Sequence, residues 1–364
     1  FSQLLIANEE IAYTHKILSM KAIFSILLIF TTIYFRFSLN LYFFLMLLLN
    51  SIIVIPYYFK CKKGDLISSF LPQFYWGDFK VILKYSLALF ALGLFQLTAN
   101  QSRPILLAMF SSEGVSILTN YKIIEVFPIF AISIGGIFTS VLLPKTSKIL
   151  AKNDQKAKEK LVYVGTIYTS IIIGTICFPI MLCADELLTV YVGSDYVHLS
   201  KWLIIWCATI ILFVHSTPST SVILATGKTK ILVMSTAISC VISMLINAML
   251  VPYVGVGSAV IGFCVYILIQ MLFYYLYFYK KIIQLNPLKI FKSFIIPTFF
   301  GVFSYIFVEF FNIDFALSKV HESTKILIII QGIVKSLVWF ILFASSLIIF
   351  KVIKISEILK LKNS

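Results

Sequence analysis

The sequence predicts an all-α fold, a polytopic bundle of about ten transmembrane helices, and two observations carry this prediction. Of the 364 residues, 60% are hydrophobic and only 12% are charged, and the mean hydropathy is +1.00. A soluble domain carries roughly 25% charged residues, so this chain has too few to build a polar surface. The apolar residues also form many long runs, and a run of about 18 or more is typical of a membrane span.

Ten apolar runs, separated by short polar loops, define the predicted helices and their orientation. Alternation of the loops puts 23 of the 30 lysines and arginines on one side and four on the other. Excess positive charge marks the cytoplasmic side, so both ends of the chain are expected there, in a cell membrane. The same bias explains the net charge of +15 without a nucleic-acid partner. The predicted spans are 17–35, 39–59, 84–110, 119–144, 161–183, 201–226, 231–250, 257–279, 293–311 and 325–350.

The most basic loop is the segment Lys145–Lys160, which carries six lysines. One interpretation is a short surface helix that lies on the anionic inner leaflet of the membrane. The other interpretation is a positively charged loop that only fixes the topology.

Charged residues inside the predicted spans are the first candidates for a binding site. An ionisable side chain at the centre of a bilayer costs about 2.5–3.5 kcal/mol on insertion scales, so it usually faces a cavity or a partner. Asn100, Gln101 and Arg103 lie in the outer part of the third span, and Lys122 and Glu125 lie in the outer part of the fourth. A cationic patch for an anionic head group is one reading, since a guanidinium matches phosphate oxygens. Alternatively, Lys122 pairs with Glu125 while Arg103 reaches to the outer interface.

A second intramembrane cation, Lys335, falls near the middle of the last span, one turn after Gln331. At this depth the ammonium group is expected to face a cavity, which makes it a further candidate for contact with the head group, or to meet a partner on another helix. Three further polar residues inside spans, His215, Asn247 and Gln270, are more typical of hydrogen bonds between helices than of ligand contacts.

Patterns for catalysis or metal binding are not found in the sequence. The four histidines are scattered, and motifs such as HExxH, the P-loop and GxSxG do not occur. The six cysteines form no CxxC pair, and most lie within apolar runs. The outer loop 184–200 contains Asp185, Glu186, Asp195 and His198, but it is short, and its acidic groups are expected to face water. The chain is therefore predicted not to be an enzyme and to need no metal or cofactor.

Five segments carry a resemblance to a known family. They are FSQLLIANEE (1–10), WGDFKVILKYSLALF (76–90), the hairpin that begins SRPILLAMF (102–130), the basic stretch VLLPKTSKILAKNDQKA (141–157), and the pair that begins LATGKTKILV (224–265). In this order they resemble the polysaccharide and O-antigen flippases, called Wzx-type. That family belongs to the MOP flippase superfamily, together with the multidrug and toxin extrusion (MATE) transporters and the lipid II flippases.

The resemblance implies an architecture of two pseudo-symmetric bundles around a central cavity. Residues 1–60 would be two helices of an N-terminal bundle whose other helices, about four, precede the sequence. Residues 84–279 would form the C-terminal six-helix bundle, 293–350 an additional helix pair, and 351–364 a cytoplasmic basic tail.

The resemblance also implies a function. Flippases of this type move a lipid-linked oligosaccharide across the cytoplasmic membrane for the synthesis of surface polysaccharide such as the O-antigen of lipopolysaccharide. The implied partners are that lipid, the surrounding membrane lipids, and a polysaccharide polymerase or glycosyltransferase. Arg103 and Lys122 match positions that line the family's cationic cavity. Ser102 departs from the family pattern, which has an acidic residue beside the arginine.

Two other functions remain open from the sequence. A cation-coupled multidrug exporter of the same superfamily would need acidic residues deep in the helices, and Glu125 is the clear intramembrane carboxylate here. A membrane polysaccharide polymerase or glycosyltransferase would need a large outer loop to hold an acceptor, and the predicted outer loops are short.

Overall fold

The fold is helical throughout the part of the chain that the structure describes. In these residues of the computed structural model every regular element is a helix, which confirms the predicted all-α class. The predicted tail 351–364 lies outside the described residues from residue 353 onward. The described ranges are residues 1–8, 10–67, 76–311 and 325–352.

The helices have the length and surface of membrane spans. Nine helical segments of the described ranges are long and apolar enough to cross a bilayer, and a 35-residue helix, α5 (Trp76–Phe110), covers the remaining predicted span, 84–110. Large apolar side chains lie on the outside of these helices, for example Ile33 at 69% exposure and Ile349 at 70%. A soluble monomer rarely exposes such continuous apolar surface, so this chain is a polytopic helical membrane protein.

The chain divides into two compact units, Phe1–Val81 and Ile82–Ser364. In the first unit, Leu5, Tyr57 and Cys61 form a small buried core. In this unit the predicted span 39–59 is not one helix. It consists of two helices that meet at Ile53. The helices of this unit are α1 (Ser2–Ala7), α2 (Ile11–Tyr34), α3 (Leu39–Ile52) and α4 (Val54–Lys63).

The second unit is a helical bundle, and the helix α7 (Gln155–Leu182) lies at its centre. This helix packs against α6, α9 and α13, and its buried face includes the small residues Thr166, Ser170 and Gly174. Small side chains let helices approach closely in a membrane, as their spacing in the sequence predicts. After α5, the helices of the unit are α6 (Ile117–Ala151), α7 (Gln155–Leu182), α8 (Ala184–Tyr191), α9 (Ser200–Val214), α10 (Thr217–Ala225), α11 (Lys230–Val254), α12 (Gly257–Phe273), α13 (Pro287–Phe310) and α14 (Lys325–Ile349).

An aromatic stack joins three helices of the second unit. The ring of Phe178 on α7 lies 5.4 Å from that of Trp339 on α14, which lies 4.8 Å from the ring of Phe343. The indole nitrogen of Trp339 donates to the Gly301 carbonyl on α13 at 3.1 Å. The rings therefore pack against one another, and the polar end of the buried indole has a hydrogen-bond partner.

Two predicted spans of this unit are not single α-helices. The span 201–226 breaks at His215 and Ser216, between α9 and α10, and Pro218 in the first turn of α10 lacks the N–H that a continuous helix would use. The span 257–279 continues beyond α12 as a π-helix, Tyr274–Ile283. Breaks of both kinds often lie at functional sites.

The expectation of a separate surface helix at Lys145–Lys160 is wrong. Helix α6 continues through Pro144 to Ala151, and α7 begins at Gln155 after a three-residue turn. The Asp154 carboxylate caps α7 by accepting from the Ala157 N–H at 2.9 Å. The lysines therefore lie at the adjoining ends of two long helices.

A capping side chain also fixes the start of α13, and its removal gives a first prediction. Asn286 accepts from the Leu288 N–H at 2.9 Å, and Pro287 occupies the first helical position. We expect Asn286→Ala to lower the free energy of unfolding by about 1 kcal/mol. The thermal stability of the protein in detergent measures this loss. Asn286→Asp keeps an acceptor and should stay close to wild type, and equal losses in both variants would contradict the capping role.

Candidate functional site

The hairpin of α5 and α6 carries the first candidate site. Helix α5 ends at Phe110, and a short turn through Gly114, whose φ of +60° suits glycine, leads into α6. Pro104 lies inside α5 and brings no N–H to the carbonyl of residue 100, one turn earlier. Arg103 precedes this proline, and the helix directs its side chain into the second unit.

Arg103 is almost completely buried, with 4% of its surface exposed. Its guanidinium carbon lies 4.5 Å from the centroid of the Phe263 ring on α12, in a cation–π arrangement. The hydroxyl groups of Tyr121 on α6 and Tyr266 on α12 lie close to it. The alternative that Arg103 reaches to the outer interface is therefore wrong, because the side chain turns inward among aromatic rings.

The buried guanidinium is not fully hydrogen-bonded. Among the residues that the structure describes, Nε and Nη2 of Arg103 have no partner, and neither has the Oγ of Ser102 beside it. Each unsatisfied buried donor costs about 1–3 kcal/mol, and more when it is charged. The Trp206 indole nitrogen, whose ring lies 6.3 Å from the Phe263 ring, is also buried without a partner. Several donors in this interior, on Arg103 and Trp206, are therefore left without an acceptor among the described residues.

Lys122 and Glu125 form an ion pair on the α6 surface. The Lys122 ammonium lies 2.5 Å from Glu125 Oε2, and the lysine side chain is 63% exposed. The Tyr121 hydroxyl donates to the other carboxylate oxygen, Oε1, at 2.9 Å. Tyr121 thus connects the surface pair to Arg103, while the Lys122 ammonium itself stays outside the buried cluster.

Asn100 and Gln101, predicted together with Arg103, are exposed side chains on α5. The structure therefore does not bring them into the buried cluster with the guanidinium. The residues that do surround it, Tyr121, Phe263 and Tyr266, were not predicted. A sequence signal existed only for Tyr121, which precedes Glu125 by one helical turn.

Lys335 has a partner on another helix, one of the two alternatives that its depth predicts. Its ammonium lies 2.7 Å from Glu186 Oε1 on α8, and the two side chains are 17% and 16% exposed. Glu186 therefore turns away from water, contrary to the expectation for the outer loop. Glu186 lines a largely apolar groove of ≈ 830 Å³ between α6, α7, α8 and α14.

The comparisons with known proteins give one structural likeness. No family model matches the chain, and no curated protein matches it. A solved structure that it resembles is a MOP superfamily transporter from Pyrococcus furiosus, with 14% identity and a TM-score of 0.45 over 74% of this chain. The match spans 64% of that transporter's length. An identity this low does not specify a substrate.

A second cavity, of ≈ 430 Å³, lies inside the second unit, and the part of the chain that the structure describes lines it with uncharged residues. The side chain of Gln270 on α12 donates to the hydroxyls of Thr236 and Ser239 on α11, at 3.2 and 3.3 Å. One helical turn beyond Gln270, the hydroxyl groups of Tyr274 and of Thr220 on α10 lie 2.6 Å apart. Gln270, which the sequence predicts to form an interhelical hydrogen bond, therefore does so and also lines a cavity.

His215 and Asn247 take different positions. His215 is fully buried at the α9–α10 break, where its Nε2 lies 3.2 Å from the Tyr275 hydroxyl and its ring 4.2 Å from that of Phe294. These contacts are the interhelical kind that the sequence predicts. The side-chain oxygen and nitrogen of Asn247 are buried on α11 with no partner among the described residues.

Proposed function

We propose that this protein is a flippase that translocates a lipid-linked oligosaccharide across the cytoplasmic membrane, with Arg103 receiving the anionic head group. The observation that supports this proposal is the buried guanidinium with two unsatisfied nitrogens in a bundle of membrane-spanning helices. A diphosphate would supply anionic acceptors for these two nitrogens, and Arg–phosphate contacts are charge-assisted and directional. The excess of lysines on one side of the membrane supports cytoplasmic ends of the chain.

In the described conformation, aromatic side chains close over the guanidinium, with Phe263 and Tyr266 on α12 and Tyr121 on α6. Transport by this route therefore needs a second conformation in which α5 or α6 moves away from α12. Exposing Arg103 in turn to each side of the membrane would carry the head group across, which is alternating access. The anionic ligand would favour the open form by the contacts that it makes only there.

The test separates transport from stability. We expect Arg103→Met to reduce translocation of a lipid-linked oligosaccharide in proteoliposomes by roughly 10- to 150-fold. This factor corresponds to the loss of one charge-assisted hydrogen bond, which contributes about 1.5–3 kcal/mol. The melting temperature should not fall, because methionine removes an unsatisfied buried charge and keeps apolar volume. Loss of transport without loss of stability would indicate that Arg103 acts in transport and not in folding.

A cation elsewhere on the bundle serves as the control. Lys201 is exposed and lies 5.3 Å from the ring of its neighbour Trp202, so Lys201→Gln should translocate lipid at the wild-type rate. Wild-type transport by Arg103→Met would overturn the proposed role of Arg103. Efflux of cationic drugs from vesicles, with no movement of the glycolipid, would favour a multidrug exporter, and new glycosidic linkages would favour a polymerase.

A further inference from the structure

We infer that the ≈ 430 Å³ cavity of the second unit binds a neutral sugar residue of the transported lipid, an inference that rests on the proposed function. The cavity is formed by α5, α6, α11, α12 and the break between α9 and α10. Its volume is within the range of about 300–1,000 Å³ that small-molecule sites occupy. The polar side chains of its wall include Gln96, Thr217, Thr220, Thr236, Gln270 and Tyr274.

The chemistry of this wall suits hydroxyl groups and not charges. The described residues that line the cavity are all uncharged, while their hydroxyls and amides supply both donors and acceptors. Sugar hydroxyls also donate and accept, so each can replace a water without leaving an unpaired group. A carboxylate would enter this cavity without a cation to meet it, which is costly in a low-dielectric interior.

The polar wall follows one face of α12 away from Arg103. Tyr266, Gln270 and Tyr274 are spaced by four residues, which places them one above the other at steps of about 6 Å along the helix. Tyr266 both lies near the Arg103 guanidinium and lines the cavity. A sugar joined to a phosphate at Arg103 would therefore lie along Gln270 and Tyr274.

Internal hydrogen bonds hold the wall in one arrangement. Gln270 donates through Nε2 to Thr236 and Ser239, which leaves its amide oxygen to accept from a ligand hydroxyl. The hydroxyls of Thr236 and Ser239 themselves donate to backbone carbonyls of α11. Such fixed groups lower the entropy lost when a ligand binds.

A glycine leaves open space on the α6 side of the cavity. Gly136 on α6 lines the cavity, and a Cβ added there would meet no atom within 4 Å. A larger side chain can therefore occupy the space without displacing the helix. Gly93 on α5 is equally unobstructed but is not part of the cavity lining, which makes it a matched control position.

The experiment compares binding of three lipids to purified protein. The probes are a short-chain polyprenyl diphosphate, the same lipid with one neutral hexose, and the same lipid with one hexuronic acid. We expect the neutral hexose to improve affinity by about threefold to tenfold, the value of one hydrogen bond, and the hexuronic acid to give no improvement. Gly136→Phe should abolish the gain without changing affinity for the bare lipid, while Gly93→Phe should retain it.

Gln270→Met keeps the volume of the side chain and removes its amide, so it should reduce the gain even if Gly136→Phe fails to fold. Equal affinity of wild type for the bare lipid and the neutral glycolipid would overturn the sugar site and leave the role of Arg103 intact. Failure of the bare lipid to bind, or binding that ignores Arg103→Met, would instead contradict the proposed function. A full hexose gain in Gly136→Phe would also overturn the inference.

Discussion

Replacing Gly301 with leucine is expected to lower the stability of the second unit by about 3 kcal/mol, at the upper end of the cost of overpacking a core. A Cβ added to Gly301 would overlap the Cε2 atom of the Phe178 ring, so one of the two groups must move. Phe178 cannot swing aside freely, because its ring is stacked against Trp339. The clash therefore separates α7 from α13. A marked fall in melting temperature in detergent would show this.

A second glycine and a compensating change serve as controls. At Gly332 on α14 the nearest atoms to an added Cβ belong to Cys183, at 3.7 Å, which is ordinary contact. Gly332→Ala should therefore stay near wild-type stability. Gly301→Ala should be destabilising and should recover in part when Phe178→Leu removes the ring. If Gly301→Leu unfolds at the wild-type temperature, the close approach of α7 and α13 is not as described.

Hydropathy predicts the helices well because it depends only on the length of an apolar run. The last span, predicted as 325–350, is the helix Lys325–Ile349. The run 201–226 was predicted as one helix because its apolar character is continuous across His215 and Ser216. The break depends on Pro218 and on packing against the π-helix, where His215 meets Tyr275. Such packing leaves no trace in the hydropathy.

The sequence predicts which residues of the candidate site are energetically unfavourable in a membrane, but not what surrounds them. The cost of an ionisable group in a membrane singles out Arg103 and Lys335 from the sequence alone. It does not give their surroundings, because these come from distant parts of the chain. Phe263 lies 160 positions after Arg103, and Glu186 lies 149 positions before Lys335. Contacts at such separation follow from the fold as a whole.

Breaking the ion pair of Glu186 and Lys335 is the second change that we expect to cause a large loss of stability. Removing one member of a fully buried pair costs about 3–5 kcal/mol, because the other charge stays in an apolar environment. Each side chain here keeps about a sixth of its surface exposed, so we expect about 2–3 kcal/mol for Lys335→Met. The carboxylate of Glu186 would then border the apolar groove without the lysine. The melting temperature in detergent measures the loss.

The double variant decides whether the loss comes from charge or from packing. Lys335→Met combined with Glu186→Gln removes both charges and keeps the size of both side chains. We expect it to be more stable than Lys335→Met alone, since replacing a whole buried pair is often neutral. The coupling energy from this double-mutant cycle should exceed that of an exposed pair, about 0.2–1 kcal/mol. Additive losses in the two single variants would mean that the 2.7 Å contact contributes nothing, and that α8 is held against α14 by its apolar residues alone.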